Sequence, residues 1–168
     1  MENLNQKLTV FCWGNSSRGD DALGEEIYQA LQKHPRLRCQ QWPIRLVYDQ
    51  QLNYEHALDL LDATLCLFVD ASRTCAAPYE FLPIEANECI SFTTHQLSPE
   101  QLIYITKSSF DKFVPAFFLQ IRGYEYSLGA AMSAESKQNM QQALEFLDLL
   151  FTDCSFSHWH QRETLLHA

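Results

Sequence analysis

Apolar and polar positions along the chain follow two rhythms. Residues 8–13, Leu-Thr-Val-Phe-Cys-Trp, form a β-branched and aromatic run that reads as a buried strand. Leu23, Ile27, Ala30 and Leu31 then recur as one face of a helix. Residues 37–48 alternate imperfectly around Pro43 and read as a strand near a sheet edge. Asn53 is placed to cap a short helix carrying Ala57, Leu58 and Leu61. Residues 64–70 are an apolar run that stops abruptly at Asp70, which predicts a strand buried on both faces. Residues 72–89 contain Pro78 and Pro83 and show no clear period. Residues 90–94 read as a further strand, ended by His95.

The next helix start is marked several times over. Ser98 stands at the N-cap, Pro99 at the first helical position and Gln101 completes a capping box, with Leu97 and Leu102 at the staple positions. Residues 114–121 read as a strand whose proline, Pro115, falls near its beginning. Residues 122–129 form a loop or a short added strand. Ser133 is placed to cap the last helix, on which Met140, Ala143, Leu144, Leu147 and Leu150 or Phe151 make a core stripe. From Thr152 the pattern is lost, and a frayed terminus is expected there. Its His158 and His160 have metal-binding chemistry, but in a frayed tail they carry little weight.

Strands alternating with helices predict an α/β three-layer sandwich: a twisted, mostly parallel sheet of about five strands with helices on both faces. With 168 residues, no repeat and no linker, the chain reads as a single domain over 1–168. The net charge of −9, with no basic block, excludes nucleic acid and anionic membrane as natural partners. No apolar run reaches the roughly 20 residues needed to span a bilayer. No secretory signal stands at the N-terminus, so the expected location is the cytoplasm. The six cysteines include no Cys-x-x-Cys pair, which argues against a structural zinc or a redox dithiol.

The chemistry concentrates at strand ends. After the first strand comes Gly14-Asn-Ser-Ser-Arg-Gly-Asp-Asp-Ala-Leu-Gly24, in which Gly14 and Gly19 bracket a tight turn. Asp20 reads as a helix N-cap, a role in which asparagine would serve equally well. Asp21 has no such duty. The glycine spacing matches neither phosphate-loop pattern, and two carboxylates there repel phosphate and suit a cation. In a parallel sheet, ligands bind beyond the carboxyl ends of the strands. Asp21, Asp70 and His95 each follow such an end. Two carboxylates and an imidazole form a mixed oxygen and nitrogen set for a divalent transition ion, with coordination positions left open for water or substrate.

Three segments together are distinctive: Gly14-Asn15-x-x-Arg18-Gly19-Asp20-Asp21-x-x-Gly24, Val69-Asp70-Ala71 and Thr94-His95-Gln96-Leu97-Ser98-Pro99. They resemble the hydrogenase maturation endopeptidases, and the late segment from Gly123 to Gly129 with Met132-Ser133 is similar to that family's closing strand and final helix. The resemblance covers about residues 7–150. It implies nickel ligation by Asp21, Asp70 and His95, where many members carry glutamate in place of Asp21. It further implies a protease acting once per substrate, clipping the C-terminal extension from a nickel–iron hydrogenase large-subunit precursor after nickel insertion; a monomer is expected, though the sequence leaves the oligomeric state open. The nickel would come with the substrate, leaving the site empty at rest. Two other readings use the same three residues: a nickel-checking chaperone that does not cut, and a conventional hydrolase with a resident metal.

Overall fold

The computed structural model describes residues 7–38, 43–85 and 97–164. Its strands are β1 (Leu8–Trp13), β2 (Ile44–Asp49), β3 (Leu65–Ser72), β4 (Tyr79–Pro83) and β5 (Ala116–Arg122). They form one sheet in the order β2-β1-β3-β5-β4. β1, β2, β3 and β5 are parallel, and β4 runs antiparallel to β5 at the edge. The helices are α1 (Leu23–Gln32), α2 (Pro35–Arg38), a 3-10 helix (Tyr54–Leu60), α3 (Pro99–Phe110), α4 (Ala134–Leu150) and α5 (Phe156–His160).

Alternation along the strands divides the core in two. Leu8, Val10 and Cys12 of β1 and Leu65, Leu67 and Val69 of β3 pack with Leu23, Ile27 and Leu31 of α1 and with Ala143, Leu147 and Leu150 of α4. Their neighbours Phe11, Cys66 and Phe68 face the opposite way, onto Ala57 and Leu60 of the 3-10 helix and Leu102 and Ile103 of α3. This is the expected three-layer sandwich. The local signals for helix starts hold as well. Asn53, Ser98 and Ser133 each accept a backbone N–H at the start of their helix, and Ser98 and Gln101 form the full capping box.

Four expectations need correction. Leu58 is exposed and Leu60 is fully buried, because a 3-10 helix turns every three residues and not every 3.6. β3 continues two residues past Asp70, to Ser72. β4 lies inside the stretch that shows no period; it is short, bounded by Pro78 and Pro83, and sits at an edge where proline is tolerated. The tail is not frayed over its described length. Trp159 of α5 is fully buried edge-on to Phe81 and Phe117, and its indole N–H donates to the carbonyls of Leu150 and Asp153. The strand expected over residues 90–94 lies outside the described residues. No helix among the described residues is long and apolar enough to cross a membrane.

Candidate functional site

Beyond the carboxyl ends of β1, β2 and β3 lies a cavity of about 770 Å³, lined by residues that include Asn15, Arg18, Asp21, Asp49, Arg73 and Tyr126. The loop after β1 builds one wall. Gly14 and Gly19 both take positive φ, 146° and 56°, and a Cβ on Gly19 would collide with the Glu125 carbonyl. Residues 19–22 make a single 3-10 turn before α1. On that turn the Asp21 carboxylate accepts the Asn15 N–H at 3.1 Å and borders the cavity.

Asp70 belongs to β3, in register with Gln120 of β5. Its carboxylate accepts the Ala71 N–H at 2.8 Å. Burial pushes its pKa well above the usual carboxylate range, and the negative charge of Asp21 adds to the rise, while the Ala71 amide and the Trp13 side chain work against it. Two nearby acids of like charge favour a bound cation. The turn after β1 and the last residues of β3 thus bring Asp21 and Asp70 close enough for the charge of one to act on the other.

His95 lies outside the described residues. Among the described residues no group of three or more His, Cys, Asp or Glu side chains is arranged to hold a metal ion. In the tail, His158 accepts from the Arg162 guanidinium and His160 pairs with Glu163, so these two histidines serve separate local contacts.

Asp20 is not the N-cap it resembles. Its Oδ2 accepts the N–H groups of Tyr124 and Glu125 at 2.7 and 2.8 Å and the Ser133 hydroxyl at 2.8 Å, while Oδ1 accepts the Ser133 N–H at 2.7 Å. The residue is fully buried. Burial works to raise its pKa, but the donors of Glu125, Ser136, Tyr124 and Ser133 outweigh it and hold the carboxyl down at about 2. The Ser133 hydroxyl in turn accepts the Ser136 N–H and caps α4. One side chain thus ties the β1–α1 loop to the β5–α4 loop, and the backbone adds bonds from Asp20 N to Glu125 O and from Gly129 N to Ser17 O.

Two cavity residues escaped the sequence reading for different reasons. Asp49 ends β2, so the strand-end rule that picks out Asp70 applies to it equally. It is held by the Gln50 N–H and the Asn53 amide, with the His56 imidazole at 3.6 Å. Tyr126 sits in the loop between β5 and α4, and only the folding back of that loop brings it to the cavity.

No family model and no curated protein matches the chain. Solved structures do. A NiFe hydrogenase maturation protease, HycI from Thermococcus kodakarensis KOD1, superposes with a TM-score of 0.65 at 17% identity, covering 88% of this chain and 94% of that one. The hydrogenase maturating endopeptidase HybD from E. coli gives 0.65 at 16% identity over 86% of this chain and 92% of its own. The Escherichia coli endopeptidase HycI gives 0.63 at 21% identity, covering 86% and 91%. The chain has the fold of the hydrogenase maturation proteases. At these identities the likeness speaks for the architecture, and the site must be argued from its own residues. The maturation-protease fold places Asp21, Asp49 and Asp70 around one end of the sheet, where an open α/β sheet takes its ligand.

Proposed function

We propose that the protein is an endopeptidase that removes the C-terminal extension of a nickel–iron hydrogenase large-subunit precursor once nickel has been inserted. The observation that carries the reading is the pair of acids Asp21 and Asp70: Asp21 borders a cavity large enough for a peptide segment, and its charge is felt by Asp70, which precedes the cavity residues Ala71 and Ser72. Such a pair is complementary to a cation, and the cation here is the nickel already held by the precursor. His95 is proposed as the third ligand. The maturation-protease fold supports this choice over other cation-binding reactions.

In this reading the substrate's nickel docks against Asp21 and Asp70, and their charge registers the scissile amide beside the ion. Water adds to the amide carbon, the C–N bond breaks, and the products are a new carboxylate on the large subunit and a free amine on the released peptide. The nickel polarises the carbonyl or activates the water. A precursor without nickel is not registered and is left intact.

The deciding experiment incubates the purified chain with nickel-loaded and nickel-free precursor and follows subunit length by mass spectrometry. The expected result is shortening of the loaded precursor alone. Stable binding of loaded precursor without cleavage would replace the protease reading with a nickel-checking chaperone. Cleavage dependent on a metal that copurifies with the chain would replace it with a conventional metallohydrolase.

A further inference from the structure

The cavity bordered by Asp21 and Asp49 also presents two guanidinium groups, Arg18 from the loop after β1 and Arg73 from the segment after β3. Among the described residues neither is in an ion pair. This is notable for electrostatic reasons. The chain has only 12 basic residues against 21 acidic ones, and Asp21 and Asp49 line the same cavity. If the arginines served to neutralise those acids, they would pair with them.

Arg73 is held in place by other means. The Ser72 hydroxyl accepts the N–H groups of Thr74 and Cys75, and the Ser72 carbonyl accepts the Gly123 N–H, which fixes the turn that carries Arg73. The guanidinium carbon lies 3.9 Å from the centre of the Tyr126 ring. That ring is a firm platform: Tyr126 is 9% exposed, its buried hydroxyl has no hydrogen-bond partner and lies against Gly123. Stacking occupies only the flat face of a guanidinium. The N–H donors lie in its plane and remain available for the two oxygens of a carboxylate.

We propose that Arg73 and Arg18 form a carboxylate-binding subsite, so that the cavity takes a peptide carrying an acidic group beside the position of the cation. This rests on the protease reading for its biological meaning: the precursor segment near the cut would carry a carboxylate, and the subsite would help set which precursor is accepted. The carboxylate belongs either to an acidic side chain or to a peptide's C-terminus. A bidentate, charge-assisted contact is the strongest polar interaction a guanidinium makes. It also opposes the overall negative charge of the chain, so binding of an acidic peptide cannot be explained by general attraction.

The test follows the arginine Nε–H signals by NMR on the isotope-labelled full chain, with three short peptides. Acetyl-tetra-aspartate amide carries side-chain carboxylates only, acetyl-tetra-asparagine acid carries a terminal carboxylate only, and acetyl-tetra-asparagine amide carries none. At least one carboxylate peptide is expected to shift the Arg73 and Arg18 signals saturably, and the stronger of the two identifies the source. The uncharged amide is expected to leave them in place. R73A is expected to weaken binding at least about tenfold, and R73K to recover part of it, since the charge returns without the planar fork. The subsite is refuted if neither carboxylate peptide shifts these signals, or if R73A binds as tightly as the parent. The readout requires no cleavage. Peptide binding with no processing of nickel-loaded precursor would refute the protease reading and leave the subsite standing. Processing with an unchanged KM in R73A, together with no peptide binding, would do the reverse.

Discussion

Asp20 and Asp21 are adjacent in the chain, yet Asp20 accepts four hydrogen bonds from a loop more than 100 residues away while Asp21 accepts one from Asn15 and borders open space. The donors around Asp20 hold its carboxyl down at about 2. Near the end of β3, burial and the charge of Asp21 push Asp70 the opposite way. A carboxylate surrounded by donors has its charge already satisfied and stabilises the fold. A carboxylate beside another carboxylate has unsatisfied charge, which a ligand can use. The surroundings of an aspartate, and not its place in a motif, separate these roles.

Exchanging the charge at each position should break the two kinds of site differently. The largest effect is expected on processing: Asp21→Asn, Asp70→Asn and His95→Ala should each slow cleavage of nickel-loaded precursor by about a thousandfold, roughly 4 kcal/mol of barrier. Melting temperatures of the Asp21 and Asp70 variants should stay close to the parent's, and Asp70→Asn should equal or exceed it, because an amide removes the buried like-charge contact. Full processing by any of the three would exclude the proposed ligand set.

Asp20→Asn is expected to act on stability. Asparagine would do as a helix cap, but here its NH2 would face N–H donors and leave buried groups unpaired, at a cost of about 3 kcal/mol. For a chain of this size that lowers the melting temperature by about 6–12 °C. Calorimetry checks it; an unchanged melting temperature would mean that the four hydrogen bonds contribute no net stability.

The two acids should also respond to pH with opposite sign. Asp20 has a folded pKa below its unfolded value, so its contribution, on the order of 2 kcal/mol, is present above about pH 4 and is lost as pH falls toward 2. Asp70 has a folded pKa above its unfolded value, so its ionisation weakens the fold as pH rises. Urea unfolding from pH 2 to 8 should show a shallower acid loss in Asp20→Asn, and in Asp70→Asn a gain over the parent that grows with pH. The smallest effect belongs to Ser133→Ala, which removes one donor to Asp20 and the cap of α4. About 1 kcal/mol is expected in the same unfolding measurement.

What was legible in the sequence depended on the range of the interaction. Ser98 with Gln101, Asn53 and Ser133 could be read because a cap and the N–H that donates to it lie within three residues. The buried strands could be read because period-two burial is written in β1 and β3 themselves. A rule about strand ends points to Asp21 and Asp70, and the same rule applied to Asp49 reaches another wall of the cavity. Asp20 was misread because its partners, Tyr124, Glu125 and Ser133, lie in a loop that no local pattern connects to it. Trp159 was missed for the same reason. An aromatic residue in an unpatterned tail carries no local sign that Phe81 and Phe117 will be waiting for it.

The tail has a consequence for the order of events during synthesis. Thr164 exchanges two hydrogen bonds with Phe81, its N–H donating to the Phe81 carbonyl and its hydroxyl accepting the Phe81 N–H, so it occupies part of the outer edge of β4. Trp159 closes the core behind the same strand. A ribosome-bound chain that has emerged only as far as α4 therefore already contains every described strand of the sheet, yet it has a bare strand edge and uncovered aromatic rings. Such an edge templates pairing with other chains. The interval between emergence of β4 and emergence of residue 164 is thus the period in which this protein is most exposed to misassembly, and rapid docking of α5 ends it.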